Sequence, residues 1–188
     1  MAFLKNKILS KFVLSLLLFW AGAYFYLLNQ YLYINIIVAF FVLIVLILIW
    51  FEIGFLFSII FLSFLSTFVL YGYLFAYNLP LWLVMIGFFL VHSYLFFYLE
   101  QKSEIVANLK MIYLFLFSLL VLELFLFLSY FLISPLNRSF LIAALVYFIS
   151  GFTSVIIAKK ESSGIIPFVL IFSLLFVMIL LSANWGAI

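Results

Sequence analysis

LWLVMIGFFLVHSYLFFYLEQKSEIVANLKMIYLFLFSLLVLELFLFLSYFLI, residues 81–133, decides how the chain is read. Two long apolar runs flank a segment, 100–110, that carries Glu100, Lys102, Glu104 and Lys110. Each run holds one ionisable residue well inside it, His92 in the first and Glu123 in the second. About 20 apolar residues rising about 1.5 Å each cover the roughly 30 Å of a bilayer's hydrocarbon. Each run is therefore a membrane span, and the charged segment between them is a connector.

The rest of the chain follows the same pattern. Of its 188 residues 72% are hydrophobic and 7% charged, and the mean hydropathy is +1.56. A water-soluble domain carries roughly 25% charged residues, so this composition cannot cover a surface facing water. Lipid is the expected solvent, and the expected fold class is all-α: a polytopic membrane helical bundle in a single domain. About seven spans are expected, near 8–28, 31–51, 53–77, 81–99, 111–133, 139–158 and 165–182. They are separated at 29–30, at Glu52, at 78–80, 100–110, 134–138 and 159–164. The break at Glu52 is the least marked, since one charge and Gly54 separate two long runs.

Lysine placement tests the threading, because cytoplasmic loops accumulate Lys and Arg. With the N-terminus in the cytoplasm, Lys5, Lys7, Lys11, Lys102, Lys110, Lys159 and Lys160 share one side, and Arg138 alone lies opposite, in the 134–138 connector. Without the Glu52 break the last four lysines would oppose the first three. The expected topology therefore has a cytoplasmic N-terminus and an outside C-terminus, in the cell membrane. A rival reading of the N-terminus takes the three lysines, the apolar run 12–20 and Ala-Gly-Ala at 21–23 as a cleavable signal peptide. It removes one span and leaves the downstream orientation unchanged.

His92 and Glu123 are the candidate intramembrane polar pair. Counted from Leu81 and from Ile133, they lie about 16 Å and about 15 Å below the same boundary on antiparallel neighbours. An ionised carboxylate in hydrocarbon costs a few kcal/mol, about 2.5–3.5 on insertion scales, unless it is partnered or protonated. The pairing therefore has a physical motive, with Tyr130, seven residues along the same face, as a further hydrogen-bonding group. One reading makes Glu123 a proton carrier with His92 as partner; the other makes the pair a packing device. Proton-coupled transporters bring several such groups and broken helices, and with one pair present the packing role carries more weight.

Ser150, Ser154 and Ala158 repeat every four residues in the sixth span. Small residues at this spacing let helix backbones approach closely, which marks a bundle contact or a seam with a second copy. Ser63–Thr67 and Gly72–Ala76 form a shorter version in the third span. Tyr24, Tyr26, Tyr31, Tyr33, Tyr71, Tyr73 and Tyr77, with Asn29, Gln30 and Asn78, gather in the outer halves of the first three spans, as an aromatic belt with polar turns in preference to a vestibule for a small ligand. Asn35 lies deeper, where a helix–helix hydrogen bond accounts for it.

One His, no Asp and no Cys exclude the H-E-x-x-H, paired-Asp, Cys–His and Ser-His-Asp arrangements. A single Arg and scattered Glu do not make a phosphate or metal site. No cofactor and no nucleic-acid surface are expected, and the partners are the lipid bilayer, other membrane proteins or a second copy. The leading functional expectation is a non-catalytic accessory or scaffold subunit. The alternative is a small proton-linked transporter or channel using His92 and Glu123. An intramembrane enzyme pairing His92 with a serine such as Ser118 ranks third.

Overall fold

The computed structural model describes residues 7–101, 107–131 and 133–157, with isolated positions at 169–170, 173–174 and 177. Among them the chain is entirely helical, without a strand. Its helices are α1 (Lys7–Leu28), α2 (Leu32–Phe51), α3 (Phe55–Phe75), α4 (Leu81–Gln101), α5 (Ala107–Ser129) and α6 (Pro135–Ile157). Five are long and apolar enough to cross a membrane: Lys7–Leu28, Leu32–Phe51, Phe55–Phe75, Leu81–Leu99 and Met111–Ser129. Pro135–Gly151 is a shorter apolar helix. The expected seventh span, 165–182, lies outside the described residues apart from the isolated positions.

Helix α3 is the hub. It packs against α1, α2, α4 and α6, while α4 packs on α5 and α5 on α6. Helices α3, α4, α5 and α6 thus close a four-helix ring, and α1 and α2 lie against the outside of α3. The chain is organised around the third span rather than around 81–133, and the composition of α3 explains why. Ser58, Ser63, Ser66, Thr67 and Gly72 keep its surface narrow, so that neighbours approach on every side, and all five are buried. The hydroxyls carry no polar penalty where they bond back to their own helix. Ser66 donates to the Leu62 carbonyl at 2.8 Å, as do Ser15 to Lys11, Ser118 to Leu114 and Ser139 to Pro135 at 2.7–2.8 Å.

The turns have identifiable closures. At the α2–α3 turn Glu52 takes the left-handed conformation (φ 57) and Gly54 follows it (φ 60). The Ile53 amide donates back to Leu48 at 3.1 Å, satisfying a terminal carbonyl of α2. Lys11 on α1 completes the closure, donating to the Trp50 carbonyl and pairing with Glu52, each at 3.0 Å. Lys11 therefore anchors Glu52 at the turn, and α2 and α3 are separate helices.

At the opposite end Asn35 is buried and reaches the Asn29 carbonyl at 3.0 Å, while Asn29 donates to its Oδ1 at 2.9 Å. The α1–α2 turn accounts for the depth of this asparagine. Helix α6 starts four residues before the expected 139. Pro135 occupies its first turn, where a missing N–H costs nothing, and Ser134 accepts the Asn137 amide at 3.3 Å. This earlier start carries Arg138 out of the connector and into the first turn of a packed helix.

Candidate functional site

Inside the four-helix ring runs a column of stacked rings with a polar group at each end. His92 of α4 stacks on Phe88, one turn earlier, with centroids 3.9 Å apart. Phe88 meets Phe125 of α5 at 4.3 Å, and Phe125 stacks on Tyr71 of α3, also at 4.3 Å. The Tyr71 hydroxyl donates to the Phe125 carbonyl at 2.9 Å, which ties α3 to α5. Above Tyr71 the Arg138 guanidinium lies 4.3 Å from the Phe75 ring centroid and 5.2 Å from that of Tyr71. A cation over desolvated aromatic faces gains roughly 2 kcal/mol.

His92 closes the base of the column. Its Nδ1 lies 3.0 Å from the Phe88 carbonyl, which can only accept, so Nδ1 carries the proton. Nε2 is then an acceptor, and Ser63 Oγ of α3 donates to it at 3.0 Å, with Thr67 Oγ1 at 3.5 Å. Both ring nitrogens are satisfied without a charge. His92, Ser63 and Thr67 are each 0% exposed, so the group is sealed. Ser118, the serine proposed from the sequence to stand beside His92, is committed to the Leu114 carbonyl of its own helix. The hydroxyls that serve His92 are those of the small-residue pair in α3, which the sequence marked as packing and which also supply hydrogen bonds.

Glu123 does not join His92. Val121, Phe125 and Leu128 are the buried face of α5, and Glu123, two residues from both Val121 and Phe125, is turned about 200° away from it. Depth differs as well. Helix α5 ends at Ser129 rather than 133, which puts Glu123 about 9 Å inside its end. Glu123 is exposed on the outer face of the bundle, and none of the described residues hydrogen-bonds or ion-pairs with it. Tyr130 lies on the same side and is 79% exposed.

Arg138, treated as a loop charge by the sequence, is the polar cap of the column. It is 5% exposed and donates through Nη2 to the Phe131 carbonyl, while Nε and Nη1 have no hydrogen-bond partner among the described residues. The signal for its burial was the Ser-Pro pair at 134–135, which starts the helix early.

The small-residue seam of α6 is described in part. Ser150 is buried, and its hydroxyl donates to the Val146 carbonyl of its own helix at 2.6 Å rather than across to a neighbour. Ser139, Ala143, Ala144 and Gly151 are buried along the same helix, whose main neighbour is α3. The side chain of Ser154 and all of Ala158 lie outside the described residues. The tyrosines at the end of α1 and α3 pack on one another, Tyr24 against Tyr73 edge-on at 5.2 Å and Tyr73 against Tyr77 at 5.8 Å.

Fold and site together define a class, the all-helical bundle with helices long and apolar enough to cross a membrane and a sealed interior column. Against known proteins, the chain matches no family model, no curated sequence and no solved structure.

Proposed function

We propose that the chain is a multi-pass cell-membrane protein that serves as a non-catalytic accessory or scaffold subunit. It has seven spans, with the N-terminus in the cytoplasm and the C-terminus outside. The observation that carries the reading is the division of its intramembrane polar groups. His92, Ser63, Thr67 and Tyr71 are consumed in holding α3, α4 and α5 together and have no exposed surface. The carboxylate of α5 faces outward from the bundle, open to a neighbouring protein. Threading is supported by the separation of α2 from α3 at Glu52, on which the one-sided distribution of lysines depends.

A proton path through His92 and Glu123 finds no support in this geometry, because His92 of α4 is buried inside the bundle while Glu123 lies on the outward face of α5. The test is the size of the native assembly. A tagged chain extracted in mild detergent is expected to travel with another membrane protein in fixed stoichiometry, and the yield of that protein to fall when the chain is deleted. Migration as a lone monomer, with no other membrane protein affected by deletion, contradicts the accessory role. Cysteines introduced at Lys5 and Trp185, in a chain without native cysteine, are expected to label from opposite compartments.

A further inference from the structure

We propose that the Glu123 face of α5 docks a membrane-spanning helix of another protein that carries a lysine or arginine about two turns inside its own boundary. The proposal rests on the accessory-subunit reading and names the surface and the chemistry of the partner. Leu116, Leu120, Glu123, Phe127 and Tyr130 are all exposed and follow one another at steps of four, three, four and three residues. That spacing is the seam by which left-handed helix pairs interlock, at crossing angles near +20°. Among the described helices α5 packs only on α4 and α6 to any extent, which leaves this seam outward.

Charge selects the occupant. A carboxylate about 9 Å inside the end of an apolar span is stabilised by a cation or a hydrogen-bond donor at its own depth. Among the described residues no basic group stands at that depth on this face. Lys110, on the same helix, is thirteen residues away, about 20 Å. Lys7 starts α1 at the Glu52 end, and Lys11 is paired with Glu52 there. Arg138 is enclosed by Phe75, Tyr71 and Phe131, and His92 by Ser63 and Phe88. The described residues of a second copy therefore present the same carboxylate and no cation to match it, whereas a foreign helix with one basic residue completes the pair.

The test uses the full chain in phosphatidylcholine vesicles, donor-labelled, with acceptor-labelled host helices of leucine and alanine. One host carries a single lysine two turns from one end, and the other carries none. Energy transfer is expected to report about tenfold tighter association of the lysine helix, and Glu123→Gln and Glu123→Leu are expected to bring it down to the apolar host. Unchanged thermal unfolding of both variants shows that the bundle is intact. Equal association of the two hosts with the native chain overturns the proposal. So does energy transfer between native copies that Glu123→Leu abolishes, which makes the occupant a second copy. Glu123-dependent proton flux in vesicles without any host helix overturns the accessory reading itself, whichever way the host comparison falls.

Discussion

At the scale of single residues, the physics turns on whether each polar group in the membrane finds a partner of the right kind. His92 needs one acceptor and one donor and has both, from Phe88 and Ser63. Ser63→Ala leaves Nε2 with only the distant Thr67 hydroxyl and is expected to cost about 1 kcal/mol, measured by unfolding in detergent. His92→Phe alone strands no strong group, because the Ser63 hydroxyl can turn to a carbonyl of its own helix. The double variant is therefore expected to be less destabilised than the sum of the singles, and strict additivity would contradict the bond. Arg138 behaves differently, since its guanidinium is held by ring faces as much as by hydrogen bonds. Phe75→Leu, which keeps the apolar volume and removes a π face, is expected to destabilise by roughly 1–2 kcal/mol, with no loss when Arg138 is already Met. That a histidine and a glutamate lie well inside long apolar helices was legible in the sequence. Their separation was not, because matching depth says nothing about which way a helix is turned, and a 200° difference in heading decides whether two groups meet.

At the scale of elements, the helices were legible from runs of apolar residues, and their ends were legible only where turn chemistry was strong. The α2–α3 break rests on two consecutive features in a short turn, Glu52 and Gly54 at positive φ. Gly54→Val is expected to cost about 1–2 kcal/mol and to do more harm than Lys11→Met. The Lys11–Glu52 pair is partly exposed, with side-chain exposures of 17% and 31%, and such pairs contribute up to about 1 kcal/mol. Thermal unfolding of the two variants side by side gives the comparison, and an inverted order would mean that the ion pair, not the backbone, sets the turn. Ser134 and Pro135 moved the start of α6 ahead of the expected 139, and the end of α5 fell at Ser129 instead of 133. Both shifts arise because an apolar residue is equally at home in a helix and in the turn beside it. Ser134→Ala is expected to remove about 1 kcal/mol through loss of the cap.

At the scale of the whole molecule, composition led to the expectation of lipid as solvent, which five helices long and apolar enough to cross a membrane match. The lysine pattern carries the proposed threading; what neither could give was the hub. Helix α3 has the same hydropathy signature as its neighbours, yet its buried Ser, Thr and Gly let helices close around it. The central claim of the proposed topology is that the described helices cross a bilayer in alternation, with Gln30, Asn78 and the start of α6 at Asn137 on one side and Ile53 and the end of α4 at Gln101 on the other. Single cysteines at these five positions, in a chain that has none of its own, allow the claim to be read with a membrane-impermeant maleimide applied to sealed vesicles. Labelling of residues 30, 78 and 137 from one face, and of 53 and 101 only from the opposite face, is the result predicted. Labelling of residue 53 from the same face as 30 would contradict it.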